Sequence, residues 1–374
     1  MARLGGLRAL VLRGPVAWSL FAALPVLLTI AFTIGVHHEP AFDFRALWQA
    51  GRDVAHGRDP YPTVSGISPL PGIAHQEFIY PAAVAVAMVP LGLLPFGLAA
   101  TLFVVLLIVA VGATLRILGV RDWRCYGVAF STIPVLESFR LGAVTPFLAL
   151  GLAGIWTLRD RRWSLPLLVC GVVLAKLFLW PVFVWLLATG RRGAAARAAL
   201  LAVAAGAVGW AVVGIGTLSR YPHVLRRMTD VQYRKSYGFD GLLASLGAGG
   251  TAARLGVALV AAGGAAAIAV TARRARSPEP AFALAVVVSL FASPLVWLHY
   301  YALLLVPIAI ASPGLSLLWA VPLLLWATPF PESGGSTWRI ALPMAVAVLA
   351  LVRPRGAGRR LLLQAPSRGV AQPG

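Results

Sequence analysis

Residues 80–115 read YPAAVAVAMVPLGLLPFGLAATLFVVLLIVAVGATL, a stretch without a single charged side chain. An α-helix rises about 1.5 Å per residue, so roughly 20 apolar residues cross the ~30 Å hydrocarbon core of a bilayer. Pro90 and Pro95 interrupt the stretch, which therefore predicts either one broken span or several short helices. Similar apolar runs fill most of the remaining chain. The pattern indicates a protein that crosses a membrane several times.

Composition supports this class. Of 374 residues, 59% are hydrophobic and 12% are charged, and the mean hydropathy is +0.84. A soluble domain could not bury that much apolar surface. Abundant Gly, Ala and Leu favour closely packed helices over the alternating strands of a membrane barrel. We expect an all-α polytopic fold of about 10–12 transmembrane helices, with one catalytic domain over residues 1–352 and a basic, disordered tail over 353–374.

The charge pattern predicts orientation. The net charge is +20, but the arginines form short clusters between apolar runs. Such clusters are typical of cytoplasmic loops, and this reading makes a nucleic-acid partner unnecessary. Three arginines also precede an apolar run from Pro15 to Val36, the predicted first span. With the N-terminus in the cytoplasm, residues 37–79 and 217–250 become extracytoplasmic loops.

Several kinds of chemistry lack support in the sequence. Cys125 and Cys170 lie in apolar segments without the spacing of a zinc site or a disulfide framework. The chain has no phosphate loop, dinucleotide-binding motif, zinc-protease motif or nucleophile elbow. We therefore expect no cofactor and no metal, and a donor group activated by a lipid carrier rather than by a nucleotide fold.

Residues 41–61, AFDFRALWQAGRDVAHGRDPY, gather acidic, basic and aromatic side chains just after the predicted first span. A carboxylate at the edge of a bilayer is costly unless it has a task. Residues 43–56 predict a short helix on the membrane surface, with Asp43 as its N-cap. The apolar side of this helix would carry Phe44, Leu47, Trp48 and Val54. Asp43 is then either only a helix cap or a general base that takes a proton from a hydroxyl.

Three other residues allow two readings each. Asp59, followed by Pro60 and Tyr61, is either a turn-forming residue or a catalytic one. His299 in the sequence WLHYY belongs either to an interfacial aromatic belt or to a site that donates to a leaving phosphate. Lys176 interrupts an apolar run, where it either snorkels to the headgroups or binds a lipid phosphate.

Three motifs together resemble a known family. They are D-F-x(5)-A-G-x(5)-G-x-D-P-Y from Asp43 to Tyr61, F-x-Y-P from Phe78 to Pro81, and S-P-x-x-W-x-H-Y from Ser293 to Tyr300. This order is similar to glycosyltransferase family 87, the polyprenol-phosphate-mannose-dependent α-mannosyltransferases of actinobacteria within the C-type superfamily. The resemblance implies a multi-helix fold with its active site at the extracytoplasmic face. It also implies that Asp43 is the base and that His299 contacts the donor phosphate.

The combined hypothesis is a multi-pass membrane enzyme that moves a hexose, expected to be mannose, from polyprenyl phosphate to a hydroxyl of a glycolipid or envelope glycan. Transfer would invert the anomeric centre, because a single base and no nucleophile are identified. Donor-phosphate contacts are assigned to His299, Lys176 and Arg52. Other substrate contacts are assigned to Arg45, Asp59, Tyr61, Tyr80 and Tyr300. A lipid or small-molecule transporter, or an inactive scaffold, has the same bulk composition and remains the alternative.

Overall fold

The computed structural model of the chain describes residues 41–67, 77–328 and 336–351, together with four helical residues near the N-terminus, Ala23, Leu24, Val26 and Leu27. The rest of the predicted first span and the predicted tail over 353–374 lie outside the described residues.

Within the described ranges the regular elements are helices, and no β-strand is present. The α-helices, in chain order, are α1 Phe42–Ala55, α2 Ala82–Ala87, α3 Val89–Gly92, α4 Phe96–Ile117, α5 Trp123–Phe130, α6 Ile133–Leu141, α7 Thr145–Thr157, α8 Ser164–Ala175, α9 Pro181–Ala188, α10 Arg192–Val213, α11 Ile215–Leu218, α12 Tyr221–Gln232, α13 Phe239–Ser245, α14 Gly250–Arg274, α15 Glu279–Phe291, α16 Leu305–Ala311, α17 Leu317–Ala320 and α18 Thr337–Leu349. The 3-10 turns are Val64–Gly66, Leu177–Leu179, Tyr233–Lys235, Leu298–Leu304 and Val321–Ala327.

The predicted all-α class is confirmed. Among the described helices, α4, α10 and α14 are long and apolar enough to cross a membrane, and seven shorter helical segments are also apolar. Helix α4 packs against α7, α8 against α10, and α14 against α15. These helices fit a polytopic membrane protein, while the number of spans and their orientation stay predictions.

The two predicted breaks in the apolar runs are confirmed. Residues 80–115 divide into α2, α3 and α4, with Pro90 in the first turn of α3 and Pro95 capping α4. The second break falls at Lys176, whose backbone is extended with φ −152° and ψ 108° between α8 and a 3-10 turn. Pro181 then begins α9, where a missing N–H costs nothing. The break leaves the Lys176 side chain at the junction of two short apolar helices.

The start of α1 differs from the prediction. Asp43 is not the N-cap: Ala41 occupies that position with a left-handed backbone of φ 59°, and no side chain caps the helix. The Ala41 N–H instead donates to the Arg140 carbonyl at 3.1 Å, so a tertiary contact with α6 sets where α1 begins. Asp43 lies in the first turn, and the predicted apolar side is confirmed because Phe44 and Leu47 are fully buried.

The predicted polar loop over residues 217–250 is largely helical, with α12 and α13 inside it. Tyr221 and Val224, three positions apart, are the buried side of α12, and this spacing is typical of an amphipathic helix. The segment is also fixed to the loop that follows α1. The Asp59 carboxylate accepts hydrogen bonds from the Thr217 hydroxyl at 3.0 Å and from Arg220.

Candidate active site

Two buried residues from distant parts of the chain meet beside the start of α1. Asp43 Oδ2 and His299 Nε2 lie 3.8 Å apart, and the two residues are 6% and 4% exposed. His299 lies in the 3-10 turn Leu298–Leu304, which packs against α6. The separation is longer than a hydrogen bond. Catalytic contacts are often long before substrate binds and tighten in the complex.

Lys176 adds a cation to this pair. Its Nζ donates a hydrogen bond to the Tyr300 hydroxyl at 2.9 Å and lies 3.9 Å from the centre of the Tyr80 ring. Its charge acts on both Asp43 and His299. The ammonium carries three N–H donors. With Tyr300 as its hydrogen-bond partner among the described residues, two donors are left for a ligand.

The two tyrosines around Lys176, Tyr80 and Tyr300, are fixed by contacts with other residues. The Tyr61 hydroxyl donates to the Tyr80 carbonyl at 2.7 Å, and the Tyr221 hydroxyl donates to the Ile79 carbonyl at 3.2 Å. Phe178 stacks on Tyr300 with 5.0 Å between ring centres. These contacts fix the F-x-Y-P segment, so that the Tyr80 ring faces the ammonium. Tyr61 therefore supports the site through the Tyr80 backbone, and its own hydroxyl is already used.

The chain leading to His299 is fixed by Ser236. The Ser236 hydroxyl donates to Asp240 Oδ1 at 2.7 Å and accepts from the Val296 N–H at 2.9 Å and from the Gly238 N–H at 3.0 Å. The Tyr301 hydroxyl adds a bond to the Tyr237 carbonyl at 2.8 Å. The segment between α12 and α13 thus positions the turn that carries His299.

Asp240 supplies the carboxyl group of this network. It is 2% exposed, and burial raises the pKa of its carboxyl to about 7, against the lowering effect of hydrogen bonds from Ser236 and the backbone. Burial favours the neutral acid because a charge in a medium of low dielectric constant is poorly solvated. The protonation of Asp240 therefore changes near neutral pH.

Three predicted site residues lie elsewhere. Arg52 follows Asp43 by two and a half helical turns, so it projects from the opposite side of α1, where it is exposed and its guanidinium carbon lies 5.3 Å from the centre of the Trp48 ring. The Arg45 guanidinium carbon lies 4.3 Å from the centre of the Phe96 ring. Asp59 accepts the Tyr61 N–H in a turn, besides its bonds to α11 and α12. The structure does not bring these three side chains to the Asp43–His299 pair.

Sequence reasoning missed two charged residues, one of which acts on His299. Arg140, at the end of α6, makes an ion pair with Glu137 at 2.8 Å, and its charge acts on His299. Glu137 is 7% exposed. The signal was present in the sequence, because two opposite charges three positions apart inside an apolar stretch predict a buried pair on one helix face.

Gly142 allows α1 to approach α6. It ends α6 with a left-handed φ of 65°, as glycine often does after a helix. A Cβ at this position would lie 2.7 Å from Phe44 Cβ and 3.1 Å from Ala41 Cβ. Only glycine fits here, and the close contact places Asp43 beside the turn that carries His299.

The arrangement offers a buried carboxylate, an imidazole and an ammonium within reach of one reacting centre. The carboxylate can accept a proton, and the two nitrogen groups can stabilise a developing anion. Within the described ranges, no three His, Cys, Asp or Glu residues come together in a way that could hold a metal ion.

Comparison with known protein families gives a match. The model of glycosyltransferase family 87 matches residues 78–297, which is more than half of the chain. No curated protein and no solved structure matches the chain.

Proposed function

The chain belongs to glycosyltransferase family 87, and from this premise we propose that it transfers mannose from polyprenyl phosphate to a hydroxyl of a glycolipid or envelope glycan. Membership makes the protein a membrane glycosyltransferase. The donor, the sugar, the acceptor and the mechanism belong to the proposal. One observation carries the mechanism, namely the buried Asp43 carboxylate 3.8 Å from His299 and in electrostatic contact with Lys176.

Asp43 acts as the general base. It removes the proton from the acceptor hydroxyl as that oxygen attacks the anomeric carbon of the donor. The bond from this carbon to the phosphate oxygen breaks, and both electrons leave with the polyprenyl phosphate. Because the attack is direct, the configuration at the anomeric carbon is inverted.

The leaving phosphate gains negative charge in this step. Lys176, held by Tyr300 and Tyr80, is the cation that offsets it, and His299 donates to a phosphate oxygen. Fixed donors aimed at developing charge are commonly the largest single contribution to catalysis. Arg140 also acts electrostatically on His299, although its ion pair with Glu137 offsets part of its charge.

The lipid-linked donor fits the surroundings of the site. The chain carries no nucleotide-binding motif, and the Arg clusters predict that residues 37–79 and the turn before α16 face the outside, where nucleotide sugars are absent. A donor anchored in the membrane would bring its phosphate to the depth at which Lys176 lies, at a break between two apolar helices.

The test is transfer by the purified protein in lipid nanodiscs. Labelled polyprenyl-phosphate mannose is supplied with envelope glycolipids, and a nucleotide-linked mannose serves as the comparison donor. We expect a new mannosyl glycolipid from the lipid donor alone. Transfer from the nucleotide donor would contradict the proposal, as would movement of the lipid donor across the membrane without a new glycosidic bond, which the transporter alternative predicts.

Mass spectrometry of envelope glycolipids from a deletion strain identifies the acceptor. The mannosylated product should be missing and its precursor should accumulate.

A further inference from the structure

A second charged site lies at the other end of α8 from Lys176. A cleft of about 310 Å³ opens between the α7–α8 turn and the start of α10. We call it the arginine cleft after the residues that line it with Asp160, which are Arg159, Arg161, Arg162, Arg191 and Arg197. Five arginines face one carboxylate, and Asp160 is itself mostly exposed, with 75% of its side chain in contact with solvent. The cleft therefore carries a large excess of positive charge.

Two of the arginines hold the walls together. Arg191 donates from Nη2 to Asp160 Oδ1 at 2.9 Å and from Nε to the Arg159 carbonyl at 3.2 Å. Arg159 donates to the Trp156 carbonyl at 2.7 Å and lies over the Trp156 ring at 4.5 Å. These bonds tie the α7–α8 turn to the start of α10, so the cleft is a formed cavity and more than a run of charges on a loop.

The other wall offers donors for a ligand. The guanidinium carbons of Arg162 and Arg197 lie 5.9 and 5.6 Å from the centre of the Trp163 ring. Arg197 Nε is buried and has no hydrogen-bond partner in the described part of the chain. A buried N–H without a partner is unfavourable, and the planar guanidinium fork matches phosphate oxygens. Five guanidinium groups that line one cleft point to a phosphate as the ligand.

The surroundings indicate where the phosphate comes from. Trp163 is 55% exposed, and Leu167 and Leu200, on the adjoining helices, are 55% and 70% exposed. A tryptophan at the end of apolar helices that expose leucines is typical of the membrane–water interface. A headgroup at this depth would meet the arginines while its acyl chains contact the leucines.

The cleft is separate from the candidate active site. Helix α8 begins at the cleft and ends beside Lys176, and its 12 residues span about 18 Å. The same helix thus has cationic side chains at each end. The Arg clusters predict that the cleft faces the cytoplasm.

We propose that the arginine cleft binds the phosphate of an anionic lipid headgroup, at the membrane face opposite the sugar-transfer site. Bound lipid would link α8 and α10 at the end where their turns carry the repelling arginines. This binding is independent of sugar transfer, so failure of the transfer assay would leave it untouched.

The test is native mass spectrometry of the detergent-purified protein titrated with phosphatidylglycerol or phosphatidylcholine. The cleft variant is Arg162→Gln with Arg197→Gln. The matched control is Arg273→Gln with Arg274→Gln, which removes the same charge from two exposed arginines at the end of α14. We expect the wild type and the control to prefer phosphatidylglycerol, and the cleft variant to bind it about tenfold more weakly, as expected for the loss of a charge-assisted hydrogen bond.

Inorganic phosphate as a competitor separates the two sources of the ligand. Loss of bound phosphatidylglycerol on adding phosphate shows that the cleft recognises the phosphate itself, and persistence of the lipid shows that its chains also contribute. Wild-type lipid binding by the cleft variant, or an equal loss in the control, overturns the proposal. If the double variant does not fold, Arg161→Glu reverses one exposed charge in the same cleft and must weaken binding more than Arg273→Glu.

Discussion

Asp43 Oδ2 lies 3.8 Å from His299 Nε2, although one residue belongs to α1 and the other to the turn before α16. The contact depends on Gly142, which lets α1 rest on the end of α6, and on Ser236, which holds the chain before His299. The side chains of Asp43 and His299 are both buried. A change at Gly142 would move Asp43, and a change at Ser236 would move His299, so either change should disturb the geometry of the site.

His299→Ala should lower turnover by about 10², the typical loss when one donor to developing charge is removed. Protein in the membrane should stay at its normal level, because the chain around His299 is held by the hydrogen bonds of Ser236 to Val296 and of Tyr301 to Tyr237. The measurement is the rate of transfer from polyprenyl-phosphate mannose. His223→Ala, a change at an exposed histidine of α12, is the control and should transfer normally.

The same assay tests the expected independence from metal. A chelator should leave the rate unchanged. Activity that is abolished by the chelator and restored by magnesium or manganese contradicts the phosphate contacts assigned to Lys176 and His299.

Gly142→Ala should slow sugar transfer by more than its loss of stability explains. A left-handed backbone costs a residue other than glycine about 1–3 kcal/mol, and the new methyl group would also collide with Phe44 and push α1 away. Gly119→Ala is the control, because Gly119 has a φ of 83° and nothing within 4 Å of a Cβ. We expect both variants to lose thermal stability, Gly142→Ala more because of the added collision, and transfer to be at least tenfold slower for Gly142→Ala alone. Equal turnover in the two variants would show that α1 does not need this contact.

Asp240 should make stability fall as pH rises towards 7. Its folded-state pKa is raised to about 7 from an ordinary value of 3.8, so the folded state binds the proton more tightly than the unfolded state. The stabilisation is complete below the unfolded pKa and is lost as pH rises through the folded pKa. Asp240→Asn keeps an acceptor for Ser236 and has no charge to bury.

Thermal unfolding in detergent, followed from pH 4 to pH 8 by tryptophan fluorescence, measures this effect. The advantage of Asp240→Asn over the wild type should grow with pH and level off above about 7. Asp230→Asn, at a half-exposed carboxylate paired with Arg254, is the control and should show no such trend. A constant difference between Asp240→Asn and the wild type would refute the buried acid.

Labelling of single cysteines tests the orientation. In a background that lacks the two buried cysteines, Cys125 and Cys170, Gly66→Cys should react with an impermeant maleimide from outside the cell. Ala275→Cys, after the arginines that end α14, should be protected until the membrane is opened. Labelling of Ala275→Cys in intact cells would reverse the predicted topology and place the arginine cleft outside.

Local patterns predicted much of the fold. The breaks at Pro90, Pro95 and Lys176 follow from residues that interrupt apolar runs, and the helix after Ala41 follows from the spacing of Phe44 and Leu47. The position of Asp43 within that helix was mispredicted, because the Ala41 N–H bonds to Arg140, which is far away in the sequence.

The candidate site was also predictable only in part, because a sequence shows local signals but not contacts between distant residues. Asp43, Lys176 and His299 carry signals of their own, since charged or titratable residues stand out in apolar surroundings. Arg52 is predicted to contact the donor phosphate from its charge alone, but helical geometry places it on the opposite side of α1 from Asp43. The role of Ser236 could not be predicted, because it depends on hydrogen bonds to Asp240 and Val296 that exist only in the folded chain.

The central claim is that the Asp43 carboxylate takes the proton from the acceptor, and Asp43→Asn tests it most directly. The substitution keeps the size of the side chain and removes the base. The comparison variant is Asp53→Asn on the same helix, where the carboxylate bonds to Gln49 and Arg58. Initial rates of mannosyl transfer from polyprenyl phosphate are measured for both variants in nanodiscs. We expect Asp43→Asn to be slower than wild type by about 10²–10⁴, the range typical of a general base, with Asp53→Asn close to the wild type; a near-normal rate for Asp43→Asn would contradict the account.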